Sequence, residues 1–268
     1  YPRAKQVLEN SGVHCCCLPV DGDGLSVEAL NRSDAAVCYV TPSHQFPTGV
    51  TMPAGRRAEL LHWAARAPGR RYIIEDDYDS EFRFASHPLP AMQSMSPERV
   101  IYINSFSKSL APSIRISYMV LPPALMEKFR RELGFYSCTV PSFEQYTLAR
   151  FLSGGYFEKH INRMRRFYQK HRNQVIEALS SCAVSHKLTI LEQDAGLHFL
   201  VHVDTQWTDG QLTAWLRSRG IRVQALSSFY HDNPPGDLHQ LVVNYSGIDV
   251  EQLEQALKTL DIPFTPAP

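Results

Sequence analysis

The chain has 268 residues, 44% of them hydrophobic, and carries 27 basic residues against 27 acidic ones. That length and apolar content suffice for one large α/β domain or two smaller ones, and they exclude a disordered tail. Balanced charge supplies no net field to hold the chain on nucleic acid or an anionic membrane, and no apolar run approaches the roughly 18 residues a spanning helix needs.

In chain order, residues 3–10 read as a helix closed by Ser11-Gly12, and 13–20 as a strand. The turn Asp21-Gly22-Asp23-Gly24 leads to a short helix around 27–30 and a buried strand over 35–41. Helical spacing over 53–67 is closed by Pro68-Gly69, and strands are predicted at 71–75, 100–103 and 116–121. Helices follow at 123–133, 141–152 and, after the Gly154-Gly155 break, 156–180. Further on come strands at 188–191 and 197–203, a helix at 209–218, strands at 221–224 and 240–245, and a helix at 250–260. Apolar runs without alternation in the first half predict strands covered on both faces, as in parallel or mixed sheets, whose ligands sit beyond the carboxyl ends of the strands. The expected fold class is α/β, with a large domain over 1–155 and a smaller α+β domain over 156–268, bridged by the long helix.

Three features read as structure rather than chemistry. The cysteines (Cys15, Cys16, Cys17, Cys38, Cys138, Cys182) show no CxxC spacing and are expected to be reduced and packed as small hydrophobes in a cytoplasmic protein. Lys159, Arg163, Arg165, Arg166, Lys170 and Arg172 read as a solvated helix face opposite an apolar stripe of Ile161, Met164, Phe167 and Tyr168. His198 and His202 fall in a predicted strand that separates them by roughly 13 Å, too far to share a metal, and no metal site is expected.

Chemistry is concentrated in three segments that end strands. These are YVTPSHQFPTG (39–49), YIIEDDYDSEF (72–82) and IYINSFSKSLAPSIR (101–115). A lysine that condenses with a carbonyl compound needs partial desolvation and nearby positive charge, which Arg115 can provide to Lys108. Serine hydroxyls with an arginine fork suit a phosphate, and a carboxylate at another strand end can keep a pyridine nitrogen protonated.

SxSK with an arginine seven residues beyond the lysine, together with EDDYDSEF and TPSHQFPTG, resembles fold-type-I pyridoxal-phosphate enzymes. The resemblance is closest to the aminotransferase-like domain of MocR (GabR-like) transcriptional regulators of the GntR class. RISYMVLPP (115–123) and HINRMRRFYQKHR (160–172) extend it over essentially the whole chain. It implies a mostly parallel large-domain sheet and pyridoxal 5'-phosphate as cofactor, held on Lys108 as an internal aldimine. Asp76 would face the pyridine nitrogen and Tyr78 the ring's phenolic oxygen, with Ser105, Ser107 and Arg115 on the phosphate. The resemblance gives no such role to Glu75, Asp77, Asp79 and Glu81, which read as loop structure. Phe46 stands where related aminotransferases carry an asparagine on that oxygen, leaving His44 or Gln45 as the substitute. Neither Val242 nor Gly247, the positions matching the substrate-carboxylate arginine, can form a bidentate clamp; Arg222 is the candidate substitute, with a structural arginine as the leading reading of it.

The resemblance further implies a homodimer, an amine or amino-acid ligand, no membrane partner, and DNA contact only through an N-terminal winged helix-turn-helix domain. Residue 1 reads as falling after that domain and after a glycine-serine loop of the phosphate cup, with apolar surface expected where the upstream segment would pack. The leading function is a sensor of an amine or of the cofactor itself. The alternative is a catalytic aminotransferase in which Lys108 also moves a proton, and a third reading is a dimerisation module without cofactor.

Overall fold

The computed structural model describes residues 2–66, 71–84, 89–191, 194–231, 236–258 and 260. The Pro68-Gly69 helix stop lies outside them. In chain order come α1 (Pro2–Asn10), β1 (Val20–Asp21), β2 (Gly24–Leu25), α2 (Val27–Arg32), β3 (Val37–Val40) and α3 (Ala54–Ala65). Next are β4 (Tyr72–Asp76), α4 (Met92–Met95), β5 (Val100–Ser105), α5 (Phe106–Ser109), β6 (Ser117–Val120), α6 (Pro123–Leu133), α7 (Ser142–Ser153) and α8 (Tyr156–Ser181). The remainder holds β7 (Leu188–Leu191), β8 (His198–Val203), α9 (Asp209–Ser218), β9 (Gln224–Ala225), β10 (Gln240–Asn244) and α10 (Val250–Lys258). Among the described residues no helix is long and apolar enough to cross a membrane.

The chain divides into two compact units, one of residues 18–45 and 50–166, the other of 1–17, 46–49 and 167–268. The division falls inside α8, whereas the sequence places the boundary at the start of that helix. In the first unit the sheet order is β3-β4-β5-β6, with β3, β4 and β5 parallel and β6 antiparallel. Leu30, Cys38, Val40, Met52, Leu60, Trp63, Ile73, Met92 and Val100 form its core between sheet and helices. Each large apolar side chain removed from water there contributes about 1.5–3 kcal/mol before entropy costs. The second unit is built on an antiparallel sheet of order β7-β8-β10-β9, with Phe199, Val201, Val203, Leu212, Leu216 and Leu241 buried.

Several expectations are corrected. The strand expected at 13–20 is reduced to Val20–Asp21, and that expected at 221–224 to Gln224–Ala225, because apolar composition makes a strand only where a neighbouring strand accepts its hydrogen bonds. Outside any sheet, Cys16 and Cys17 are exposed, as is Cys138; of the cysteines expected to pack as hydrophobes, Cys38 alone is buried. On α8, Ile161 is buried but Phe167 is 54% exposed. Six residues on, at about 100° per residue, Phe167 points well away from Ile161, and its ring stacks on His171 instead. Exposed apolar side chains gather on β6 (Tyr118, Met119, Val120) and around α6 and α7 (Phe135, Tyr136, Phe143, Tyr146).

Candidate functional site

The carboxyl ends of β3, β4 and β5 lie side by side, and each runs into one of the three polar segments. Strand alternation then sorts the carboxylates. Tyr39 pairs with Ile74 and Asp76 with Ile103, so Tyr39, Asp76 and Ser105 share one face of the sheet while Glu75 points to the other. The Tyr39 hydroxyl donates to Asp76 Oδ2. Burial pushes the Asp76 carboxyl up from its ordinary range, with Asp77 and Asp79 adding to the effect and the Tyr39 bond opposing it.

Glu75 lies among core side chains. Its oxygens accept from the backbone N–H of Met92 (3.0 Å) and Gln93 (2.9 Å), and Arg57 Nη1 is 3.9 Å away. Asp77 Oδ2 accepts from Ser80 Oγ and Tyr102 Oη, both at 2.7 Å. Both acids make structural bonds, Glu75 from within β4 and not from the loop where the sequence reading put it. Asp79 does more, because its Oδ2 is 2.9 Å from His44 Nδ1, with both side chains buried.

Tyr78, two residues past Asp76, places its hydroxyl 3.1 Å from the His44 carbonyl, to which it donates, and 3.3 Å from His44 Nδ1. Burial first, then Asp79 and Asp76, push the Tyr78 phenol far upward, so it stays a neutral donor. His44 is only 1% exposed and is built into the tyrosine's support. Gln45, half-buried, donates its backbone N–H to the Val50 carbonyl at 2.8 Å, closing the loop after β3.

At the end of β5, Ser105 caps the helical turn α5 by accepting from the Ser107 N–H at 3.2 Å. Lys108 sits exposed on that turn, in a helical conformation the sequence analysis did not predict. The turn is anchored on both sides. Phe106 packs on Tyr118 and Phe157, buried Ser109 ends it, and the Ser109 carbonyl is 3.0 Å from His160 Nε2. Arg115, exposed, adopts a left-handed backbone (φ 49°) as the chain turns into β6, a conformation costing on the order of 1 kcal/mol or more for a side chain of this kind. Asp76 and Ser105 are thus brought together by adjacent strand ends, and Lys108 and Ser107 follow within one turn. Tyr39, Asp79 and His160 were missed by sequence reasoning. Tyr39 alone left a signal, a polar-tipped ring on a strand leading into a motif loop.

Glu81 closes the acidic segment. Burial, reinforced by Asp77 and Asp79, pushes its carboxyl up to about 7, against a hydrogen bond with Asn104. Its folded pKa lies above the unfolded value of 4.5, so its contribution is complete below pH 4.5 and is lost as pH rises from there through 7. Glu81→Gln is expected to stabilise the protein by up to about 3 kcal/mol at pH 8 and to give no gain near pH 4.5. Urea unfolding at the two pH values checks this, and an equal gain at both would refute it.

Solved structures that superpose on the chain establish its class. Pyrococcus horikoshii kynurenine aminotransferase, solved in complex with PMP and KYN, matches with a TM-score of 0.82 and 26% identity over 96% of this chain and 65% of that one. The alpha-aminoadipate aminotransferase LysN from Thermus thermophilus matches with a TM-score of 0.80 at 23% identity, over 96% and 67% of the two chains. The fold is therefore that of the fold-type-I pyridoxal-phosphate-dependent aminotransferases, α/β with a mixed, largely parallel sheet. The family model "Aminotransferase class I and II" matches residues 6–260, and the chain belongs to that family.

Among curated proteins, it is 37% identical to the uncharacterized HTH-type transcriptional regulator YdeL of Bacillus subtilis, over 97% of this chain and 55% of the relative. It is 36% identical to the probable rhizopine catabolism regulatory protein MocR of Rhizobium meliloti, over 98% and 53%. The pyridoxine biosynthesis regulator PdxR of Corynebacterium glutamicum shares 31% over 86% and 49%. The chain spans about half the length of these curated relatives.

Proposed function

We propose that this chain is the pyridoxal-phosphate-binding effector domain of a MocR/GntR-type transcriptional regulator. The observation that carries the reading is similarity along nearly the whole chain to relatives named as HTH-type regulators, with Asp76, Tyr78, Ser105, Ser107, Lys108 and Arg115 all present. The donor set fits the cofactor. A half-buried carboxylate, fixed by the Tyr39 phenol, is suited to a cationic partner such as a protonated pyridine nitrogen. When bound, pyridoxal phosphate supplies an aldehyde that condenses with amines and a ring that withdraws electrons.

In this reading Asp76 holds the ring nitrogen protonated, and Tyr78 donates to the phenolic oxygen. Ser105, Ser107 and Arg115 bind the phosphate, and the Lys108 amine is the point of attachment. His44 and Gln45 belong to the cofactor loop. The ligand is an amine, an amino acid or the cofactor itself, sensed in a cytoplasmic homodimer. A second copy would cover the aromatic surface of Phe135, Tyr136, Phe143 and Tyr146, and DNA is bound by a separate domain of the whole protein.

A sensor is favoured over an aminotransferase because the two positions that match the substrate-carboxylate arginine hold Val242, a β10 residue opposite Leu200, and Gly247, and neither makes a charge-assisted bond. Differential affinity of the ligand for two conformations is all a sensor needs. The test is an absorbance titration of the full-length protein with pyridoxal phosphate, followed by amines and amino acids with and without a keto acid, alongside DNA affinity. A visible band that an amine alters together with DNA affinity, without steady turnover, supports the sensor. Continuous conversion of keto acid establishes the aminotransferase instead, and absence of any band removes the cofactor from the account.

A further inference from the structure

We infer that His44, backed by Asp79, is a positioning residue that fixes the hydroxyl of Tyr78 where a ring oxygen must be met; the inference rests on the cofactor reading above. Three residues from two segments form one chain, its His44 and Asp79 buried and its Tyr78 partly so. Asp79 Oδ2 is 2.9 Å from His44 Nδ1, and the Tyr78 hydroxyl is 3.3 Å from that same nitrogen and 3.1 Å from the His44 carbonyl. His44 and Asp79 are 1% and 2% exposed, so neither reorients at low cost.

The geometry also assigns the tautomer. A carboxylate only accepts, so the proton is on Nδ1, directed at Asp79 with the Tyr78 oxygen beside it. The phenol hydrogen is directed at the His44 carbonyl in this structure; to meet a ring oxygen it would turn away from that carbonyl about the C–O bond, with the phenol oxygen still held beside the His44 Nδ1–H. The groups facing this phenol are Asp76 from β4, Asp79 from its own segment, Tyr39 from β3 and His44 from the loop after β3. With carboxylates on two sides, the hydroxyl keeps its proton and acts by donating it.

This arrangement also accounts for Phe46 at the position where related aminotransferases use an asparagine. In this reading His44 acts by holding the one donor, Tyr78, and not as a second donor to the cofactor. Losing a hydrogen-bond donor from an oxygen that carries negative charge raises the proton affinity of the conjugated group, so the effect is read as a pH midpoint.

The test uses full-length protein loaded with pyridoxal phosphate and measures the pH midpoint of the cofactor's visible absorbance change. Tyr78→Phe is expected to move the midpoint up by about one pH unit, the equivalent of one hydrogen bond. His44→Asn is expected to move it in the same direction, and Asp79→Asn by a smaller amount. In the Tyr78→Phe background neither substitution should add further shift, because both act through the phenol. A His44→Asn shift that persists without the phenol, or an unchanged midpoint, overturns the inference. Should His44→Asn fail to fold, Asp79→Asn with and without Tyr78 decides it in the same way. Failure of wild-type protein to develop the band overturns the cofactor reading, and the inference with it, which is distinct from a band whose midpoint ignores His44.

Discussion

Lys108→Ala is expected to abolish the visible absorbance that pyridoxal phosphate acquires on binding, at any cofactor concentration, while leaving the fold unchanged. The side chain is exposed on α5, whose anchoring comes from its neighbours: Phe106 on Tyr118 and Phe157, and the Ser109 carbonyl on His160. Alanine removes the amine and none of these contacts, and it is the best helix former. Non-covalent binding through Asp76, Tyr78, the serines and Arg115 should persist at reduced affinity, seen by equilibrium dialysis. A variant that keeps the visible band would place the attachment elsewhere and sink the assignment of Lys108. Circular dichroism separates this from unfolding, because surface truncations of this kind change stability by about 0.5 kcal/mol or less.

Arg57→Ala should destabilise the protein by about 3–5 kcal/mol, the usual cost of breaking a buried charged pair from one side. Arg57 on α3 is 2% exposed, and its guanidinium donates to the carbonyls of Met52, Pro90 and Pro42, each at 3.1 Å. Its removal takes a donor from each of these carbonyls, of which Pro42 keeps the Met52 N–H, and leaves Glu75 without its cationic neighbour 3.9 Å away. Burial already holds the Glu75 carboxyl above its ordinary range. A raised folded pKa means stability is lost as pH rises, so the deficit of the variant should widen from pH 4 to pH 8 and shrink in acid, where Glu75 takes up a proton. Urea unfolding at both pH values measures it, and a loss under about 1 kcal/mol at pH 8 would show that the guanidinium is not the keystone of the loops after β3 and β4.

Both predictions concern one sheet edge, whose residues were legible to different degrees. Lys108, Arg115 and the serines stood out because a nucleophilic amine, a guanidinium and hydroxyls at that spacing serve few purposes other than a phosphorylated carbonyl compound. Asp76 was separable from Asp77 by resemblance alone, since the sequence offers consecutive acids without saying which way each points. Register decides it: Asp76 shares a face with Tyr39 and Ser105, while Glu75 and Asp77 turn to Arg57 and Tyr102. His44 and Asp79, 35 residues apart, gave no joint signal at all.

The sequence by itself determined the elements whose pattern is local. The apolar runs at β3, β4 and β5, the helical periods of α3, α6, α7 and α9, and the glycine and proline breaks between them needed no partner to be read. Tertiary structure alone decided whatever depends on a neighbour: that residues 13–19 join no sheet and Cys16 and Cys17 are exposed, that Phe167 faces water, that one turn of helix presents Lys108, and that the Tyr78 hydroxyl meets a buried histidine. The physical reason is the same in each case. Backbone hydrogen bonds of a strand, and the ionisation and orientation of a buried polar group, are set by atoms distant in the chain, whereas periodicity and turn chemistry are carried by residues a few positions apart.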